Sequence, residues 1–138
     1  LGMRDFQMEF LAKVESGGIG WVFRAPDLDN YFHVRMVMSG SGAKAAWHLS
    51  RRAVIAGEAD APVTVPIDIN LRSRASFRLR LTADGSEFSV AIEGKDVAHW
   101  SDTRLSEGAI GFLADPGDRA RLYWVKVASP AFGATNNE

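Results

Sequence analysis

A chain of 138 residues, 46% hydrophobic and 24% charged, has the size and make-up of one folded domain, which excludes disordered, collagen-like and low-complexity classes. Its 16 Lys+Arg against 17 Asp+Glu leave a net charge of −1, so there is no bulk positive field to hold nucleic acid or an anionic membrane surface. With no cysteine, disulfides, thiolate metal sites and thiol catalysis are excluded, and no apolar run approaches the ~18 residues of a bilayer span.

Alternation with period two, the signature of a half-buried strand, dominates the chain. Phe6, Met8, Phe10, Ala12 and Val14 share one face, with Gln7, Glu9, Lys13 and Glu15 on the other, until Ser16-Gly17-Gly18 breaks the strand. Ile19, Trp21 and Phe23 alternate with Gly20, Val22 and Arg24 before 25–30 turns the chain; Phe32, Val34, Met36 and Met38 then oppose Tyr31, His33 and Arg35. Residues 43–57 fit a short helix or a strand, and a strand through roughly 44–50 is favoured because both neighbours are strands. Gly57, Pro62 and Pro66 mark 57–66 as loop or sheet edge.

Phe77, Leu79 and Leu81 alternate with Arg78, Arg80 and Thr82, and a hairpin turn at 83–86 leads into Phe88, Val90 and Ile92. A second turn follows at 93–96. Residues 108–114 form a strand, 115–118 a turn, and 119–128 the last strand, with Tyr123, Val125 and Val127 inward and Trp124 outward. Short strands, frequent turns and no convincing helix predict an all-β antiparallel sandwich or barrel. Residues 1–128 are expected to form a single domain, with 129–138 a flexible C-terminal tail.

Gly20-Trp21-Val22-Phe23-Arg24-Ala25, followed by Asp29-Asn30-Tyr31-Phe32, resembles a segment of the concanavalin A-like lectin/glucanase jelly rolls. The later pieces keep the order those domains use. They are Phe77 to Leu81, Asp84-Gly85, Phe88 to Gly94, Trp100 to Asp102, Glu107 to Phe112, and the closing Leu122 to Val127. The resemblance covers 5–128 and is specific for fold, because its motifs are mostly turns and core positions. It implies an antiparallel jelly roll similar to laminin-G-like binding modules and to the bacterial 3-keto-disaccharide hydrolase family, which often sits in the cell envelope. Such domains usually carry a further strand before the one beginning at Asp5, so the chain is expected to be a piece of a larger envelope or extracellular protein.

The chemistry-bearing residues carry competing readings. Asp27, Asp29 and Asn30 supply closely spaced oxygens of the kind calcium uses, while Asx-turn chemistry after Pro26 explains the same residues. The expectation is no cofactor, with calcium at this turn as the alternative. His33, His48 and His99 lack metal-ligand spacing, and no nucleophile elbow is present. The paired-carboxylate strand motif of glucanases is missing too, since Glu87, Glu93 and Asp96 fall at hairpin ends. Trp21, Trp47 and Trp100 read as core or rim.

The polar faces are the most informative pattern. The sequence holds 12 Arg and 4 Lys, an imbalance that fits codon bias and also supplies planar donors for sugar hydroxyls. Arg24, Tyr31, His33, Arg35, Arg78, Arg80 and Trp124 all fall on the non-core phase of their strands. If those strands neighbour one another, they form a binding face for a sugar, and for an acidic one if the guanidinium groups lack acidic partners; the alternative is a solvated sheet face with neutralised charges. The sequence therefore predicts a non-catalytic carbohydrate-binding or interaction module. Its partner is a glycan or a neighbouring domain, with no nucleic acid and no membrane insertion. The alternative is a glycoside hydrolase or lyase acting on (keto-)disaccharides, as the resemblance implies.

Overall fold

The computed structural model describes residues 3–40 and 42–129. Eleven strands follow in order: β1 (Phe6–Ser16), β2 (Gly18–Asp27), β3 (Asn30–Ser39), β4 (Ala46–Ile55), β5 (Glu58–Ala59), β6 (Val63–Ile67), β7 (Ser76–Asp84), β8 (Glu87–Ile92), β9 (Lys95–Ser101), β10 (Ala109–Phe112) and β11 (Arg119–Ala128). A single 3-10 turn at Gly42–Lys44 interrupts them. They build two antiparallel sheets, a five-stranded one in the order β11-β1-β7-β8-β9 and a six-stranded one in the order β10-β2-β3-β4-β5, with β6 also pairing β4. No helix among the described residues is long and apolar enough to cross a membrane.

Alternation makes each inner face apolar, and burying those faces against one another closes the sandwich. Met8, Phe10, Ala12, Leu79, Leu81 and Val90 of the five-stranded sheet meet Trp21, Phe32, Val34, Met36 and Leu49 of the other. Phe10 lies edge-on to Trp21 at 5.5 Å and to Phe77 at 6.5 Å. Phe88 does the same with Phe23 and Phe32, both at 5.3 Å between centroids. Such side chains contribute roughly 1.5–3 kcal/mol apiece on burial. Trp21, Trp47 and Trp100 all sit in this core.

Several expectations are corrected. The strand expected at 44–50 begins at Ala46 and runs on to Ile55, and the edge at 57–66 holds the short β5 and β6. β9 was not anticipated beyond its turn, because a register shift opposite Val90 and Ala91 breaks its alternation and leaves both Val97 and Ala98 half-buried. Ile110, on the strand expected at 108–114, is half-buried. Tyr123, Val125 and Val127 were expected inward. Val125 and Val127 do pair with Phe10 and Met8, which point into the core, while the register shift in this stretch leaves Tyr123 without a partner on β1; all three are 38–50% exposed. The expected tail at 129–138 lies outside the described residues except for Ser129.

Candidate functional site

The seven candidate residues do not share a face. Six of them, all but Arg24, keep the outward phase that alternation gave them, but β2 and β3 belong to one sheet and β7 and β11 to the other, so their outer faces look in opposite directions. Tyr31, His33 and Arg35 share the outer face of the six-stranded sheet, whereas Arg78, Arg80 and Trp124 share that of the five-stranded sheet.

Arg24 is on neither. Its φ of 50° breaks the alternation of β2 and turns the side chain into the end of the sandwich, where it is 2% exposed. There its Nε and Nη2 donate to the carbonyl of Arg4 at 3.1 and 2.8 Å, and Nη1 donates to the carbonyl of Leu105 at 3.2 Å. Nη2 also meets Asp5 at 3.3 Å, and the guanidinium lies over the Phe88 ring at 5.0 Å. With its donors held by the protein, Arg24 ties three chain segments together. Gly108, next in that corner, has a φ of +156°, and a Cβ there would stand 2.3–2.5 Å from the backbone of Arg24 and Ala25. Only glycine fits such an approach.

The six-stranded face spends its charges internally. Residues Leu113 to Asp118 cross its outer side at Gly20, where a Cβ would meet the Leu113 carbonyl at 2.5 Å. The largely buried Asp118 carboxylate accepts from Arg35 Nε at 3.2 Å and from Arg35 Nη2, and also from the backbone N–H groups of Gly18 and Asp115 at 2.9 and 3.0 Å. Burial alone would raise its pKa, but these donors outweigh that and hold the carboxyl below the usual carboxylate range. The same bonds raise Arg35 above the ordinary guanidinium value. Asp115 adds a second contact to Arg35 Nε at 3.2 Å.

His33, beside them, is buried, and its Nε2 has no partner among the described residues. Burial first, and then nearby Arg52 and Arg35, push its pKa down, so it is neutral at pH 7. His33 and Asp118 therefore act with the same sign. A depressed folded pKa means stability fully present above the unfolded value and lost as pH falls. Urea midpoints should decline from about pH 6.5 downward through His33, then fall again below about pH 4 as Asp118 protonates. His33→Gln should flatten the first decline and leave the second. An unchanged profile between pH 7 and 5 in that variant contradicts the assignment.

The outer face of the five-stranded sheet is arranged differently. Glu9 stands opposite Arg80 on β7 and Lys126 on β11, and Leu11 stands opposite Arg78 and Trp124. Arg78 lies over the Trp124 ring at 5.5 Å and the Lys126 ammonium lies over it at 5.0 Å. The ring is thus clad by its own cations and stiffens them rather than standing bare as a stacking platform. Glu93, in the β8–β9 turn, accepts from the Arg78 backbone N–H at 2.6 Å. Glu9, Ser76, Arg78, Arg80 and Glu93 line an open polar depression of about 550 Å³. Among the described residues, no carboxylate comes within ion-pair distance of the Arg78 or Arg80 guanidinium. This face therefore keeps two guanidinium groups without an ion pair beside the Glu9 carboxylate and beside Glu93, one oxygen of which is taken by the Arg78 N–H. The sequence reading missed Glu9, Ser76 and Glu93 as lining residues; the cross-strand register that brings Glu9 to Arg80 was the signal that alternation alone does not carry.

The remaining candidates are dispersed. Asp27 accepts from the Asp29 N–H at 2.8 Å and from Asn30 Nδ2 at 3.0 Å, an Asx turn closing β2 onto β3. His48 is half-buried on β4, while His99 is exposed on β9, 3.2 Å from Glu87. No group of three His, Cys, Asp or Glu side chains placed to hold a metal occurs among the described residues.

No protein-family model matches the sequence, and no curated protein matches it. Solved structures do. Carbohydrate-binding module CBM66 from Bacillus subtilis superposes with a TM-score of 0.72 at 18% identity, over 94% of this chain and 78% of that one. Sheep galectin-11, solved with glycerol, gives 0.62 at 10% identity over 93% of this chain and 95% of its own. A tetrameric galectin from the ball sponge Cinachyrella gives 0.63 at 11% over 90% and 92%. The fold is a concanavalin A-like jelly-roll β-sandwich, as the order of the sequence motifs implied.

Proposed function

We propose that this chain is a non-catalytic carbohydrate-binding module whose ligand occupies the outer face of the five-stranded sheet at Arg78, Arg80, Glu9 and Glu93. The observation that carries the reading is the pair of unspent guanidinium groups beside two carboxylates in an open polar depression, one of them braced on Trp124. Vicinal sugar hydroxyls both donate and accept, and a guanidinium fork beside a carboxylate answers both needs. That the module CBM66 and several galectins share the fold supports a sugar as the ligand class. Glycans of this kind are met at the cell envelope or outside the cell, and we assign the module to a bacterial envelope or secreted protein.

Glycan-array screening followed by calorimetry tests the reading. Arg80→Ala and Arg78→Ala should each weaken the best glycan by about 1.5–3 kcal/mol, the value of a hydrogen bond to a charged group. Because neither side chain is held by an ion pair, stability should stay within about 0.5 kcal/mol of the parent for Arg80→Ala and within about 1 kcal/mol for Arg78→Ala, which also gives up the Trp124 ring. Loss of stability with unchanged affinity would make these arginines structural. The hydrolase alternative receives no support from this face. Laminarin and lichenan should remain intact with the purified chain, and turnover abolished by Glu93→Gln would overturn the non-catalytic reading.

A further inference from the structure

The strands that carry the outer face of the five-stranded sheet hold more cations than carboxylates. β11, β1 and β7 together have six Lys or Arg against three Asp or Glu, in a chain whose net charge is −1. Two of those three carboxylates already serve two cations each. Glu9 stands in register between Arg80 and Lys126, and Glu15 lies 3.8 Å from Lys13 and 3.4 Å from Arg121. The third, Asp84, closes the far end of β7 opposite Glu87. Glu93, which the β8–β9 turn adds, is engaged with the main chain. It accepts from the Arg78 N–H at 2.6 Å while its own N–H donates to the Arg78 carbonyl at 2.9 Å. Positive charge is left over, and it falls at Arg78 and Arg80, neither of which has a carboxylate within ion-pair distance among the described residues.

Position and shape limit what answers that charge. Arg78 and Arg80 are two residues apart on β7, so both project from the same side of the strand, with roughly 7 Å between their Cα atoms. Like charges so placed are unfavourable unless an anion lies between them. Guanidinium forks only donate, and their planar edge matches the two oxygens of a carboxylate. Glu9 and Glu93 line the same depression and, as carboxylates, only accept. A densely charged anion would bring its further charges against those two carboxylates. A ring bearing one carboxylate and several hydroxyls satisfies both sets of groups at once.

We propose that the ligand of this face is an acidic sugar, a hexuronic acid unit whose carboxylate is held between Arg78 and Arg80 while its hydroxyls donate to Glu9 and Glu93. The inference rests on the sugar-binding reading above and narrows it from sugars in general to those with one carboxylate per ring. Trp124, which lies under the Arg78 guanidinium at 5.5 Å, holds one of the two forks in place for it.

The test is a calorimetric comparison on the unaltered chain. Oligomers of galacturonic, glucuronic, mannuronic and guluronic acid are set against their methyl esters, which keep the ring and hydroxyls but lose the charge, and against a dextran sulfate and a glutamate peptide of similar length. At least one uronate should bind more tightly than its own ester, the dextran sulfate and the peptide, by a factor of about 10 or more. Added salt should weaken the uronate and leave the ester unaffected. Arg80→Lys keeps the charge and loses the fork, so it should cost that uronate about tenfold and leave dextran sulfate binding unchanged. An ester or neutral glycan that binds at Arg78 and Arg80 as tightly as any uronate would overturn this inference and leave the sugar-binding reading standing. Equal binding of the dextran sulfate or the peptide would overturn it too, because charge alone would then explain the contact. Binding of no sugar, acidic or neutral, would remove both. The comparison of ligands decides the matter even if the Arg80 variant does not fold.

Discussion

Replacing Asp118 by alanine is expected to lower the stability of the sandwich by about 3–5 kcal/mol, the range for removing one partner of a buried ion pair. The size follows from what one carboxylate does. It accepts two bonds from Arg35 and one each from the backbone N–H groups of Gly18 and Asp115. Its loss leaves a largely buried guanidinium facing only Asp115, and two backbone donors unmatched under the 113–118 segment. Against a domain stability of about 5–15 kcal/mol, that is a large share. Asp118→Asn keeps an acceptor for Gly18 and should cost less. Urea unfolding at pH 7 measures both, and a change under 1 kcal/mol for the alanine variant contradicts the described role.

Arg24→Met is the second large effect. The substitution preserves length and lets the side chain lie over Phe88, but it strips the carbonyls of Arg4 and Leu105 of their side-chain donor. It also removes the partner of Asp5, whose carboxylate still accepts from the Gly85 N–H at 2.9 Å. The expected cost is about 2 kcal/mol, for two part-buried acceptors left without their donor and an ion pair broken at a half-exposed Asp5. Glycan affinity per folded molecule should be unchanged. Reduced affinity with unchanged stability would return Arg24 to the binding site that its strand phase suggested.

The difference between these two arginines and Arg78 shows what the sequence could and could not disclose. Phase along a strand is local, so the buried positions of Phe10, Trp21, Phe32, Phe77, Leu79 and Val90 were legible from alternation. Which sheet a strand joins is not local. β7 lies beside β1 and not beside β3, so Arg78 and Arg35, equally outward by phase, end on opposite sides of the molecule. The φ of 50° at Arg24, in a stretch where the β2–β3 register shifts, is likewise invisible to a pattern of apolar and polar residues, although the side chain there leaves the outward phase. Val125 and Val127 illustrate the opposite case. They pair with the inward Phe10 and Met8, yet both are exposed, so the burial that alternation led one to expect is not met.

Partnering separates the two polar faces in the same way. Arg35 has Asp118 and Asp115, contributed by a turn some eighty residues later, and becomes part of the scaffold. Arg78 and Arg80 have a tryptophan and a cross-strand glutamate beside them, with neither guanidinium in ion-pair distance of a carboxylate among the described residues. An unneutralised, braced donor in an open depression is available to a ligand in a way that a neutralised one is not.

The most direct measurement is chemical-shift mapping of the labelled chain during titration with the highest-ranked glycan of the array. The account predicts that perturbations cluster on Glu9, Ser76, Arg78, Arg80 and Glu93, and that the indole resonance of Trp124 moves with them. Perturbations centred instead on Tyr31, His33 and Arg35 would contradict it, because the ligand would then sit on the six-stranded sheet.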